Sequence, residues 1–213
     1  ATRSPSKFSN TDRYAMSKFV ISDRKRAEDR YQHLATHDAL TDLPNRALLM
    51  DRIGQAIRNA DRHHSRVALL LIDLDGFKTV NDSFGHQVGN ELLKAVTLRL
   101  TRAVRDSDTV ARLGGDEFVV LSDGWRTLYE VGSIADKLCE ALLQEFEIGE
   151  RHFQQLASIG ISIFPDDGID GATLLHKADQ VMYRAKQRGG CWVRSVAEDS
   201  APIPAQAKRA KSI

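Results

Sequence analysis

The chain has 213 residues, 42% of them hydrophobic and 28% charged, a soluble globular mixture and not the composition of a disordered polymer. Thirty Lys+Arg against twenty-nine Asp+Glu leave a net charge of +1, so no overall field draws the protein onto nucleic acid or an anionic membrane. The longest apolar run, Val67 to Ile72, is far short of the ~20 residues a membrane helix needs, so this segment is expected not to insert in a bilayer.

Residues 1–16 mix Ser, Thr, Lys, Arg and Asp without period and are expected to be disordered. In 17–36, Val20, Ala27 and Leu34 fall seven apart with Tyr31 on the same side. That is a thin apolar stripe on a charged helix, able to pair with a second copy or to dock on its own domain. The stretch DALTDLPNR (38–46) is turn-rich, and Leu49, Ile53, Ile57 and Ala60 then mark one helical face. Val67 to Asp75 reads as a buried strand with an acidic end, and Val88, Leu92, Val96 and Leu100 as a second helix. Two short strands, 109–113 and 117–121, flank Gly114-Gly115, a pair suited to a hairpin turn of positive φ. Leu128, Val131, Ala135, Leu138 and Leu142 form a further helical face. Phe153 to Phe164 alternates like one strand, Leu174 to Ala185 is helical, and Cys191 to Val196 suits a last strand. The tail, 197–213, is expected to be disordered, and Ala1 in place of an initiator Met fits a piece of a longer chain. Two cysteines, Cys139 and Cys191, are too few for a disulfide scaffold or zinc site and read as small buried hydrophobes. A cytoplasmic setting follows from that usage. Strands alternating with helices around one tight hairpin give an α/β domain over 37–196, a single sheet covered by helices.

Strand alternation points Asp73 and Asp75 the same way, with the Leu74 carbonyl between them. Asp116 and Glu117 follow the diglycine turn directly. If the hairpin pairs beside the first strand, Asp73 and Asp116 converge, and carboxylates with a carbonyl are hard ligands for Mg²⁺ carrying substrate phosphates. Lys78 offers a charge for phosphate and Asn81 a donor and acceptor for a base edge. Gly85 and Gly89 flank His86 just before the second helix, whose free N–H groups suit an anion.

These residues resemble the GGDEF domain, the diguanylate cyclase family that makes cyclic di-GMP from two GTP. The signature stands as Gly114-Gly115-Asp116-Glu117-Phe118; DALTDLPNR resembles the family's opening, and 73–90 its metal and substrate segment. SIGISIFP (158–165) and ADQVMYRAK (178–186) are similar to its closing strand and helix, so the likeness runs from about Ala35 to Val196. It implies a palm-like fold with a central, mostly antiparallel, five-stranded sheet flanked by helices and preceded by an extended N-terminal helix. It also implies Mg²⁺, or Mn²⁺ in its place, on Asp73, Asp116 and the Leu74 carbonyl, with Asp116 and Glu117 assisting deprotonation of the 3′-hydroxyl. Asn81 and Asn90 would read guanine, and Lys78 and Lys186 would contact phosphate. His86, Gly114 and Gly115 would complete the substrate site. Each domain would hold one GTP and react within a homodimer, and residues 17–36 look like the connector to an upstream sensory domain. Arg105 and Asp108 match the family's RxxD inhibitory site, where cyclic di-GMP returns as product. Two positions depart from the family pattern: Asn90 stands where Asp is usual, and Gly190 where an Arg is usual.

Overall fold

The apolar run near residue 70 becomes the middle strand of the sheet. In the computed structural model, which describes residues 30–125, 127–188 and 191–194, β1 (Arg66–Leu74) pairs antiparallel with both β3 (Glu117–Trp125) and β6 (Ala157–Phe164). Outside β3 lies β2 (Thr109–Gly114), and at the opposite edge the short β7 (Trp192–Arg194) runs parallel to β6. Five strands, all but one pairing antiparallel, agree with the sheet that the resemblance implies.

Alternation along β1 sends its side chains into two cores. Ala68, Leu70, Ile72 and Leu74 pack with α3 (His86–Ala103) and α4 (Leu128–Leu143); Val67, Leu69 and Leu71 pack with α1 (Arg46–His63) and α5 (Gly171–Arg188). The result is a helix–sheet–helix sandwich. Asn45 starts α1 by accepting from the Ala47 and Leu48 N–H groups, which satisfies two donors the helix cannot use internally. Leu49, Ile53, Ala56 and Ala60 form its buried face.

Several expectations need adjustment. Residues 77–84 carry no element in the sequence reading, yet form the short helix α2 (Phe77–Phe84). Phe153 to Phe164 is not one strand. A hairpin of β4 (Phe146–Ile148) and β5 (Arg151–Phe153) ends there, and β6 begins at Ala157. The break has a cause: Gln155, 2% exposed, donates from Nε2 to the carbonyls of Asp75 and Leu156 at 2.9 and 2.7 Å, closing off the end of β1. β3 runs on to Trp125 because it keeps pairing with the start of β1. Cys139 and Cys191 are not separate hydrophobes. They form a disulfide across 52 residues, with a Cα–Cα distance of 6.2 Å, a proximity created by tertiary packing and carried by no local pattern.

Residues 30–36 are helical, and Tyr31 and Leu34 stand exposed at 75% and 45%. Val20 and Ala27 of the stripe, the segments 1–16 and 197–213, and Gly190 lie outside the described residues. Among those described, no helix is long and apolar enough to cross a membrane.

Candidate active site at the end of the central strand

Asp73 on β1 lies directly across from Glu117 on β3, so their side chains share one face of the sheet. Between β2 and β3 the chain reverses at Gly114 (φ 140°) and Gly115 (φ 55°), a left-handed bend that side chains disfavour. Asp116 follows the bend, and its carbonyl accepts from the Leu74 N–H at 3.3 Å. The hairpin therefore brings Asp116 to the acidic end of β1, as the sequence suggests. Asp75 lies just past the strand, its carboxylate receiving the Ser158 hydroxyl at 3.0 and 3.1 Å.

Negative charge accumulates here. Burial pushes the Asp116 carboxyl above its ordinary value, and the charge of Asp73 pushes it further. Burial does the same to Glu117, reinforced by Asp73, Asp116 and Asp179. Asp75 is also raised, chiefly by burial, against the opposing pull of Ser158 and Lys186. One cation answers directly: Lys186 Nζ lies 2.7 Å from Asp73 Oδ1. Burial lowers this ammonium, but Asp73, Asp75 and Asp116 outweigh it and hold the value up. Such half-buried, mutually repelling carboxylates fit a hard divalent cation. Among the described residues no three His, Cys, Asp or Glu side chains form a ready-made metal cluster. A cation held by two carboxylates would need backbone or substrate oxygens to complete its shell, which is how Mg²⁺ is usually bound.

Local packing explains how the other candidates arrive. Lys186 is one turn beyond Met182, and α5 reaches the sheet so closely because residue 160 has no side chain. A Cβ on Gly160 would lie 2.0 Å from the Ala178 carbonyl oxygen and 2.4 Å from the Met182 nitrogen. Lys78 and Asn81 come from α2, His86 and Asn90 from α3. The two helices meet where Asn81 lies against Gly89; a Cβ there would fall 2.0 Å from Asn81 Oδ1. Asn81 thus abuts the turn of α3 that carries Asn90. Lys78, His86 and Asn90 are exposed, and Asn81 is half-buried. Gly85, at the start of α3, has no side chain to cap its N–H groups.

Arg105 and Asp108 sit at the other end of β2, away from the bend. The Arg105 guanidinium lies over the Trp125 ring, 4.2 Å from its centre. Asp108 accepts from the Arg105 backbone N–H at 3.0 Å and from the Ser122 hydroxyl, which also receives the Trp125 indole N–H at 3.0 Å. A cavity of about 150 Å³ opens beside them, bordered also by Tyr129 and Lys137.

Sequence reasoning missed Arg112. Only 8% exposed, it donates from Nε and Nη2 to the Gly115 carbonyl at 3.1 and 2.7 Å and from Nη1 to Asp38 Oδ1 at 2.7 Å. A charged residue inside the apolar strand TVARL, two places before the diglycine, was the available signal.

The family model described as "Diguanylate cyclase, GGDEF domain" matches residues 35–191. Among curated proteins, the bifunctional diguanylate cyclase/cyclic di-GMP phosphodiesterase MucR of Pseudomonas aeruginosa is 44% identical over 82% of this chain, which spans 25% of MucR. Diguanylate cyclase TpbB of the same organism is 39% identical over 73% of this chain and 36% of its own length. The cyclic di-GMP phosphodiesterase PdeR of Escherichia coli is 36% identical over 79% of this chain and 25% of its own length. The chain thus corresponds to about a quarter to a third of these relatives. Among solved structures, the isolated GGDEF domain of TpbB superposes with a TM-score of 0.72 at 38% identity, covering 76% of this chain and 94% of that one.

Proposed function

Because the chain belongs to the GGDEF diguanylate cyclase family, we propose that it condenses two GTP molecules into cyclic di-GMP. The observation that carries this reading is the meeting of Asp116, Glu117 and Asp73 at one end of the central strand. Asp73, Asp116 and the Leu74 carbonyl are the residues that would hold Mg²⁺ or Mn²⁺. Bound there, the ion neutralises phosphate charge.

The chain's own residues do the rest. A carboxylate raised toward neutrality is a better proton acceptor at physiological pH, and Glu117, which burial raises, is the member of the Asp116–Glu117 pair that would not hold the ion. A carboxylate oxygen of this pair takes the proton of the attacking 3′-hydroxyl. The 3′-oxygen forms a bond to the α-phosphorus of the other GTP as the bond to the departing pyrophosphate breaks. Lys78 and Lys186 bind phosphate, Asn81 and Asn90 hold the guanine edge, and His86, Gly114 and Gly115 border the substrate. One domain presents one GTP, so the homodimer supplies the second, and positioning provides much of the acceleration. Arg105 and Asp108 bind returning cyclic di-GMP, the guanidinium meeting guanine O6 and N7. Residues 17–36 carry the signal from an upstream sensory domain.

Asn90 favours a second reading, a weak or silent receptor for GTP or cyclic di-GMP, or a cyclase of relaxed base preference. Guanine N1–H and N2–H are both donors. Asn offers one acceptor oxygen and an opposing NH₂, a mismatch of roughly 1–3 kcal/mol, or about ten- to a hundredfold in binding. The test is to incubate the chain with Mg²⁺ and either GTP or ATP and identify products by mass. Cyclic di-GMP from GTP, lost in Asp116→Ala and increased in Asn90→Asp, is expected. Tight cyclic di-GMP binding without turnover selects the receptor, and an adenine product selects relaxed preference.

A further inference from the structure

Asp116 is the residue on which the proposed chemistry turns, and its backbone is held from both sides. The peptide after it is fixed by the Leu74 N–H, which bonds to the Asp116 carbonyl at 3.3 Å. The peptide before it carries the Gly115 carbonyl, and that oxygen receives two N–H groups of the buried Arg112. Diglycine alone would leave the bend loose, since glycine gains the most freedom when unconstrained. The guanidinium removes that freedom.

Arg112 is itself anchored. Its remaining edge meets Asp38 Oδ1 at 2.7 Å, the same oxygen that receives the Thr41 N–H at 2.9 Å and the Thr41 hydroxyl at 2.6 Å. Asp38 begins the turn that leaves the helical residues 30–36. That turn is stitched back to the helix: the Asn45 N–H and Nδ2 donate to the Thr36 and Ala35 carbonyls at 2.9 and 3.0 Å. It is also stitched to β2, where the Arg112 N–H donates to the Pro44 carbonyl at 3.0 Å. A planar fork with several fixed donors can bridge a carbonyl and a carboxylate at once; an ammonium cannot reproduce that geometry.

We infer that Arg112 is a positioning residue that sets the Gly114–Gly115 bend, and that Asp38 makes this setting depend on the helix ending at residue 36. A rotation or displacement of that helix moves Asp38, then the guanidinium, then the peptide that aims Asp116. The inference rests on the cyclase reading for its effect on rate, but not for its effect on the bend.

The experiment uses the full chain with Arg112→Lys, Asp38→Asn and the double variant. Hydrogen exchange at the Leu74 amide, whose acceptor is Asp116, reports the bend without turnover. The Ile159 amide, bonded to the Cys191 carbonyl at 2.8 Å, serves as the control on the far side of the sheet. Arg112→Lys is expected to speed exchange at Leu74 by about tenfold or more while leaving Ile159 alone. A displacement near 1 Å is worth on the order of a hundredfold in rate, so kcat should fall at least about tenfold with KM for GTP within about threefold. If Asp38 acts through Arg112, the double variant is no worse in kcat or Leu74 exchange than Arg112→Lys alone. Unchanged Leu74 exchange in the folded variants overturns the positioning role. Additive losses in the double variant overturn the link to the helix. If Arg112→Lys does not fold, the neutral isostere Asp38→Asn carries the same comparison against wild type. A wild-type chain without turnover whose Leu74 exchange still responds refutes the cyclase reading and leaves the positioning role standing.

Discussion

Burial and the nearby charge of Asp73 both lift the Asp116 carboxyl above its ordinary value of 3.8, and Glu117 and Asp75 are lifted with it. A carboxyl raised by folding holds its proton more tightly in the folded state, so ionising it opposes folding. That opposition is absent below the ordinary value, grows as pH rises toward the folded value, and is complete above it. Asp38 slopes the other way. Burial raises it, but the Thr41 hydrogen bonds and Arg112 outweigh burial and hold it low, so its support is complete above 3.8 and lost as pH falls through the folded value. The site therefore carries charge that destabilises the fold, and the expected consequence is specific. Asp116→Asn should melt at a higher temperature than wild type near pH 7, by a margin that narrows as pH falls through the carboxylate range. Mg²⁺ should raise the melting temperature of wild type, because a ligand of the folded state alone stabilises it, and should do so much less in the variant. Calorimetry across pH, with and without Mg²⁺, checks both. A lower melting point for Asp116→Asn at neutral pH would refute the charge argument.

At the scale of elements, close approach depends on missing side chains. α5 lies on β6 at Gly160, where an added Cβ would meet the backbone of Ala178 and Met182 and neither could yield without moving the helix. Gly160→Ala should therefore destabilise by about 1–3 kcal/mol, as overpacking does, lowering the melting temperature by several degrees. It should also shift Lys186 from Asp73, visible as a weaker KM for GTP. An unchanged melting curve would mean the helix has slack there. Much of this element plan is legible in the sequence, because β1 is an apolar run with an acidic end and the diglycine marks the β2–β3 hairpin. Those two signals also reveal Asp73 and Asp116. α2 is hidden because its eight residues between Gly76 and Gly85 make barely two turns, too short a run for the spacing of Phe77, Val80 and Phe84 to be told from a loop. The end of β5 is hidden because Gln155 looks like any polar strand residue until its amide is seen serving Asp75. Arg112 is hidden for a related reason: composition says that a charge belongs outside, and only the fold supplies its buried partners.

Across the whole molecule, the bond between Cys139 and Cys191 ties α4 on one face to the segment between α5 and the sheet edge. That edge needs support, because among the described residues β7 spans three positions and its strand neighbour is β6. A second tie lies beside it, the Trp192 indole N–H donating to Asp136 Oδ1 at 2.8 Å. Closing a loop across 52 residues restricts the unfolded chain by an amount worth ~4 kcal/mol in the chain-entropy account, with native distortion and residual unfolded structure reducing it. Whether the bond forms depends on the redox surroundings of the chain, which makes stability conditional on them. Oxidised wild type should therefore exceed both the dithiol-reduced protein and Cys139→Ser by about 2–4 kcal/mol in urea unfolding. The two reduced forms should agree with each other, since each lacks the same cross-link. Mass spectrometry of the unfolded, alkylated protein reports whether the bond was present at the start. If oxidised and reduced chains share one midpoint and one slope, the cross-link contributes nothing to stability.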